Sequence, residues 1–161
     1  MTYKTSLGKS AIVITVGITI LFAVIIGGQY AIIKDAGRAV PIYTTSACLL
    51  IYFIAFAFRP INYNLTADNL IIHRLFADVK INRNQIQSAE LLDKEKLSWS
   101  IRTFGVGGLF GYYGRFANTK LGNMTWYATR KDKIVLVRTI DNEKIILTPN
   151  DPIKFITDIN S

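Results

Sequence analysis

The segment AIVITVGITILFAVIIGGQYAII, residues 11–33, contains no charged side chain, and neither does VPIYTTSACLLIYFIAFAF, residues 40–58. A helix needs about 20 apolar residues to cross the hydrocarbon layer of a bilayer, and both segments have that length. The sequence after Arg59 is charged and interrupted by turn residues. We therefore predict an N-terminal tail and two transmembrane helices within residues 1–59, followed by a soluble domain over residues 60–161.

The flanking residues predict how this helix pair lies in the membrane. The first apolar segment is longer than the core of a cleaved signal peptide, which runs about 7–15 residues, so it is expected to be retained. Residues 34–39 leave room only for a tight turn, which places both chain ends on one side. Basic residues favour the cytoplasmic side of a membrane. Four of them lie on the side of the two chain ends, Lys4, Lys9, Arg59 and Arg74, and two lie on the side of the turn, Lys34 and Arg38. A bacterial inner-membrane protein with both termini in the cytoplasm is predicted.

Composition excludes several kinds of site. Cys48 is the single cysteine and His73 the single histidine, so the sequence offers no disulfide and no His and Cys metal site. No ionisable residue lies in the middle of either apolar segment, which argues against ion transport. The net charge is +8, and residues 59–161 hold 15 of the 19 Lys and Arg residues. Because these positive charges are dispersed, they favour a position beside anionic lipid over nucleic-acid binding.

The soluble half has the alternating pattern and turn spacing of short strands. Turn residues at 67–69 and 141–143 each separate two apolar runs, which predicts two hairpins. The chain ends in a predicted helix, because Asp151 can cap it, Pro152 suits its first position, and Phe155, Ile156 and Ile159 share one face. The candidate strands are residues 61–66, 70–74, 79–81, 85–92, 97–102, 123–129, 134–140 and 144–148.

About seven antiparallel strands followed by one helix is the order of a pleckstrin-homology (PH) fold. The run RTFGVGGLFGYYGRF, residues 102–116, together with Leu121-Gly122, Tyr127-Ala128-Thr129 and residues 147–152, resembles bacterial PH-like domains. The resemblance covers about 100 residues and implies a bent sheet, or partly open barrel, capped by a C-terminal helix. It also implies a membrane location, because members often follow two transmembrane helices, but it supplies no catalytic residues. The turn at 67–69 lacks the basic cluster with which eukaryotic PH domains bind phosphoinositides.

The glycine-aromatic run allows three interpretations. It can be a long internal excursion packed on the domain's own core, a loop that faces the membrane, or a contact with a partner or a second copy. It lacks the spacing and the following helix of a dinucleotide-binding motif. Residues 130–133 form the densest basic stretch and add a candidate headgroup contact. The candidate contact residues are Arg102, Phe110, Tyr112, Tyr113, Arg115, Phe116, Arg130, Lys131 and Lys133.

The sequence predicts a membrane-anchored PH-like interaction module that binds a protein partner, itself or lipid headgroups. No catalytic constellation, cofactor, small-molecule substrate or nucleic-acid partner is predicted. The alternative function is a small accessory subunit of a membrane transport or export complex, contacted through the helical hairpin. The expected partners are therefore the lipid bilayer and either a protein or a second copy of the chain.

Overall fold

The computed structural model describes residues 1–32 and 39–161. Helix α1 runs Lys9–Ile32 and helix α2 runs Ala39–Ala57. The predicted tight turn falls on residues outside the described part of the chain, except for Ala39. Gln29 Nε2 donates to Thr45 Oγ1 at 3.0 Å, and the hydroxyls of Thr19 and Tyr52 lie 2.9 Å apart, so the two helices pair antiparallel.

Both helices are long and apolar enough to span a membrane, with mean hydropathies of 2.6 and 1.8. Only 6% of the most apolar stretch of α1 and 11% of that of α2 is buried within the protein. The core helix of a globular domain would be mostly covered by its own chain. These helices instead leave their apolar side chains exposed on nearly every side, as expected of helices that hydrocarbon solvates.

The first sheet has four antiparallel strands in the order β1-β2-β3-β4. Their bounds are Thr2–Lys4 for β1, Pro60–Leu65 for β2, Asn69–Arg74 for β3 and Val79–Asn82 for β4. The β2–β3 hairpin confirms the first predicted hairpin. Strand β1 lies in the segment that the sequence assigned to a tail, and Tyr3 pairs with Tyr63 across the sheet. Three residues are too few to show a period of their own, and their partner strand lies far along the chain.

The second sheet has six strands in the order β5-β9-β10-β8-β7-β6, and only the β10–β8 pair is parallel. The second predicted hairpin is β9–β10, and both of its strands are central. The bounds are Ile86–Leu92 for β5, Ile101–Gly108 for β6, Gly111–Asn118 for β7, Gly122–Ala128 for β8, Ile134–Thr139 for β9 and Lys144–Leu147 for β10. Short 3₁₀ turns occupy Arg83–Gln85 and Lys94–Leu97.

Two details of the strand prediction are corrected. The alternating stretch 97–102 is not one strand, since a 3₁₀ turn ends at Leu97 and β6 begins at Ile101. Trp99 between them has a positive φ of 60° and is 93% exposed. The glycine-aromatic run, which was assigned to no strand, forms the β6–β7 hairpin with Gly108 paired to Gly111. With β1, this hairpin brings the described strands to ten, compared with about seven that were predicted from eight candidate stretches.

The main core lies between the two sheets and under helix α3, Pro152–Asn160. The predicted cap is confirmed, because Asp151 Oδ1 accepts from the Lys154 N–H at 3.1 Å and Pro152 occupies the first turn. Phe155 is fully buried, and its ring meets Tyr3 edge-on at a centroid distance of 5.0 Å. A second core on the outer face of the larger sheet includes Phe116 and Trp126.

Candidate functional site at the junction of helices and domain

The tip of the β6–β7 hairpin, defined here as Leu109 and Phe110, packs against both apolar helices. The Phe110 ring meets Tyr52 and Phe56 of α2 edge-on, at centroid distances of 4.9 and 5.4 Å. Leu109, Phe110 and Ala55 form a buried cluster separate from the two cores of the domain. The tip therefore joins the domain to the helices rather than completing the domain's own interior.

Hydrogen bonds and close packing reinforce this contact. The backbone N–H of Phe110 donates to Thr15 Oγ1 on α1 at 2.9 Å, and the Tyr113 hydroxyl donates to the Ala55 carbonyl on α2. A Cβ on Gly108 would lie 2.6 Å from Ile14 Cδ1, so only glycine lets β6 approach α1 this closely. The tip is fixed between the two helices on the side where the chain enters and leaves the domain.

A groove of about 530 Å³, called here the junction groove, lies on the α2 side of this hairpin. Ile54 of α2 and Phe58, which directly follows that helix, line one wall, and Phe104 and Tyr127 line the sheet side. Phe104 is 75% exposed, so the groove carries unpacked aromatic surface.

Two facing glycines shape the floor of the groove. Gly105 and Gly114 pair across β6 and β7, with positive φ angles of 106° and 118°. A Cβ on either would lie 2.3 Å from the carbonyl oxygen of the residue beside the other. Side chains are therefore excluded from the floor, which leaves the groove open.

Arginines surround the apolar surface of the junction. The Arg74 guanidinium lies 5.4 Å from the centre of the Phe58 ring and 5.8 Å from that of Tyr127, and Arg59 lies 4.4 Å from that of Phe56. Arg115 is exposed on the groove side of β7. Burial raises the pKa of Tyr127, and the charge of Arg74 opposes that shift. The junction groove thus joins apolar walls to fixed positive charge.

The predicted aromatic residues divide between two faces of β7. Phe110 and Tyr113 lie at the junction, where burial raises the pKa of the Tyr113 hydroxyl and Arg59 opposes the shift. Tyr112 and Phe116 point to the opposite face and are buried in the second core. Phe116 stacks on Trp126 at a centroid distance of 4.4 Å. The surfaces of Tyr112 and Phe116 are therefore covered largely by the domain itself.

The predicted cations occupy different environments. Arg130 pairs with Asp132 through two hydrogen bonds of 2.8 and 2.6 Å, which lower the pKa of Asp132 and raise that of Arg130. Lys133 Nζ donates to the Asn150 carbonyl at 3.0 Å. Lys131 lies with its Nζ 4.6 Å from the centre of the Tyr112 ring, and Arg102 is exposed on β6. The contact roles of all nine candidate residues stay predictions.

Sequence reasoning did not identify the arginines that frame the junction. Arg59 marked the end of the apolar half and was counted for topology, Arg74 and Lys9 were only counted for topology, and Lys94 was not singled out. Arg59 directly follows the second apolar helix, which is a local signal, but Arg74 reaches the Phe58 ring only through tertiary packing. Within residues 1–32 and 39–161, no group of three His, Cys, Asp or Glu side chains is placed to hold a metal ion.

A family model described as the bacterial PH domain matches residues 61–161, well over half of the chain. The chain belongs to the bacterial PH domain family. The resemblance and fold class predicted from sequence are thereby confirmed, with ten strands in two mostly antiparallel sheets and a C-terminal helix. No curated protein and no solved structure matches the chain. A PH-like domain joined to two candidate membrane-spanning helices is consistent with a membrane-associated module.

Proposed function

We propose that this bacterial PH domain protein is a non-catalytic module, anchored at the inner face of the bacterial membrane, whose domain binds phospholipid at the junction groove. The supporting observation is the packing of the hairpin tip between α1 and α2. That contact holds the domain at the ends of the two apolar helices, and the groove opens beside them.

Helix geometry supports a position at the bilayer surface. Thr15 lies six residues after the start of α1, and Tyr52 lies five residues before the end of α2. At 1.5 Å per residue, the tip meets each helix about 8–9 Å from its domain end. The headgroup layer on each side of a bilayer is about 5–8 Å thick. The tip of the hairpin is therefore expected at the boundary between headgroups and hydrocarbon.

The chemistry of the junction groove suits an anionic phospholipid. An acyl chain in the groove would meet an apolar wall that continues the surface of α2. This wall is formed by Ile54, Phe58 and Phe104. Arg74 and Arg115, which also line the groove, offer positive charge to a phosphate. A Lys or Arg beside an anionic membrane surface contributes about 1 kcal/mol of attraction.

Brominated lipids test this proposal, because bromine on an acyl chain quenches tryptophan emission at short range. Phe104→Trp places a reporter in the groove, and Ile153→Trp places one on α3, far along the chain from the hairpin. The two native residues are matched in exposure, at 75% and 72%. Each full-length variant is reconstituted in nanodiscs of brominated and unbrominated phosphatidylglycerol, with the unmodified chain giving the background from Trp99 and Trp126.

We expect bromine to quench the Phe104→Trp reporter and to leave the Ile153→Trp reporter at background. Equal quenching of both reporters, or none of either, would contradict a lipid in the junction groove. Co-purification of a membrane protein in fixed stoichiometry, with the Phe104→Trp reporter shielded from lipid, would instead favour an accessory subunit of a transport or export complex.

A further inference from the structure

We propose a second binding site, for a phosphate group, on the opposite side of the β6–β7 hairpin from the junction groove. Two cavities, of about 220 and 400 Å³, adjoin there and share Lys94 and Lys131 in their walls. The smaller cavity opens at the start of α1 beside Lys9, and Tyr112 forms part of its wall. We call the two cavities together the basic recess.

Two buried donors support an oxygen-rich ligand in the basic recess. Tyr112 is 2% exposed and Trp126 is 3% exposed. Neither the Tyr112 hydroxyl nor the Trp126 indole N–H makes a hydrogen bond of ordinary geometry among the described residues. Burial raises the pKa of the Tyr112 hydroxyl, and the Ser10 side chain lies near enough to oppose that shift. Tyr112 lines the smaller cavity and Trp126 the larger one. Both groups can donate, so an oxygen-rich ligand that reached these enclosed atoms from the recess would satisfy them.

The surrounding charges favour an anion. Lys9, Lys94 and Lys131 line the recess, and each is exposed enough to move onto a ligand. The acids in its walls are Asp132 and Glu95. Asp132 is already neutralised by its two hydrogen bonds from Arg130. The positive charges of the recess therefore exceed the negative charges that remain to oppose them.

The start of α1 adds backbone donors to the same cavity. Residues Lys9, Ser10 and Ala11 form its first turn, where N–H groups have no acceptor within the helix, and all three line the smaller cavity. The positive end of the helix dipole lies there as well. Backbone N–H groups, lysines, a phenol and an indole together form a set of donors that matches the oxygens of a phosphate.

The phosphate can come from a lipid headgroup or from a soluble molecule, and one experiment separates these sources. In detergent, inorganic phosphate is titrated onto the full-length protein while the emission of Trp126 and Trp99, which line the larger cavity, is followed. In nanodiscs, native mass spectrometry counts the phosphatidylglycerol molecules that the protein retains from a phosphatidylcholine background.

The variants are Tyr112→Phe and Lys131→Gln, and Lys154→Gln on α3 is the control for charge. Binding of phosphate in detergent, weakened about tenfold by either variant, supports a soluble ligand. A count of retained phosphatidylglycerol that either variant lowers by one, without binding of inorganic phosphate, supports a headgroup in the recess. Tyr112→Phe removes a hydroxyl that makes no hydrogen bond of ordinary geometry, so it should not lower the melting temperature of the ligand-free protein.

Two results would overturn the site. One is no binding of inorganic phosphate together with a count of retained phosphatidylglycerol that Tyr112→Phe and Lys131→Gln both leave unchanged. The other is binding that Lys154→Gln weakens as much as Lys131→Gln does, because that would show attraction to net charge alone. Since Tyr112 and Tyr113 point to opposite faces of β7, the recess and the junction groove can fail independently. Loss of one site therefore leaves the test of the other valid.

Discussion

Replacing Phe110 with alanine should release the hairpin tip from the helices while leaving the domain folded. Phe110 is 8% exposed and packs on Tyr52 and Phe56 of α2. Truncating a buried phenylalanine costs about 3–5 kcal/mol. Phe110 belongs to neither core of the domain, so this cost should weaken the contact between domain and helices rather than the fold of the domain.

Hydrogen exchange measured by mass spectrometry on the full-length protein in nanodiscs can separate these two effects. A loss of about 3 kcal/mol at the tip should accelerate exchange of amides in residues 104–116 by about a hundredfold, at about 1.4 kcal/mol per tenfold change. Amides of the fully buried residues Val135 and Val137 should exchange as before. Ile153→Ala, at a side chain that is 72% exposed, is the matched control and should change neither region.

Two results would refute this reasoning. Unchanged exchange in residues 104–116 would show that the tip is not held by Phe110. Equal acceleration at the tip and at Val135 would show that Phe110 supports the core of the domain.

Three further predictions concern the N-terminal strand, the glycine pair and the topology. Tyr3→Ala removes a ring packed on Phe155 and should lower the free energy of unfolding of the domain by about 3–5 kcal/mol, measured by urea titration with Ile153→Ala as control. Burial, aided by Asp158, raises the Tyr3 pKa from 10.0 to about 12, so the stability linked to its hydroxyl proton should persist below pH 10 and be lost between pH 10 and 12. The loss over this range should be smaller in Tyr3→Phe, in which only the other buried tyrosines titrate. Gly114→Ala should prevent β6 and β7 from pairing and reduce the yield of folded protein, whereas Gly17→Ala, which meets nothing within 4 Å, should be neutral or slightly stabilising. In a Cys48→Ser background, Gly37→Cys should react with an impermeant maleimide in intact spheroplasts and Ser161→Cys only after lysis; the reverse pattern would place the domain outside the cell.

Much of the fold can be predicted because its signals are local. The two apolar helices depend on uninterrupted length, the two predicted hairpins on turn residues between apolar runs, and helix α3 on Asp151 and Pro152 at its start. Each of these patterns is complete within a short stretch of chain, so it can be recognised without knowledge of the neighbouring elements.

The β6–β7 hairpin could not be predicted in this way. Its glycines lower strand propensity and interrupt the alternation of large side chains. Gly105 and Gly114 are required by the close approach of two backbones, which is visible only once the strands are paired. Strand β1 could not be predicted for a related reason. Its three residues form a strand only by pairing with β2 near residue 63.

The candidate sites depend still more on tertiary contacts. The glycine-aromatic run and the basic stretch 130–133 could be identified from the sequence. How their side chains are divided between the two faces of β7 could not. Pairing in the sheet places Tyr113 and Arg115 beside Arg74, and it places Tyr112 beside Lys131 on the other face. Lys9 and Lys94 belong to the basic recess only because α1 begins next to the turn that follows β5.

Neutron reflectometry on the full-length protein in a supported bilayer tests most directly whether the domain lies on the membrane. The junction contacts predict that the protein density of the domain is continuous with the headgroup layer. In Phe110→Ala, this density should broaden or move away from the bilayer. A hydrated gap between the headgroups and the domain in the unmodified protein would contradict the account.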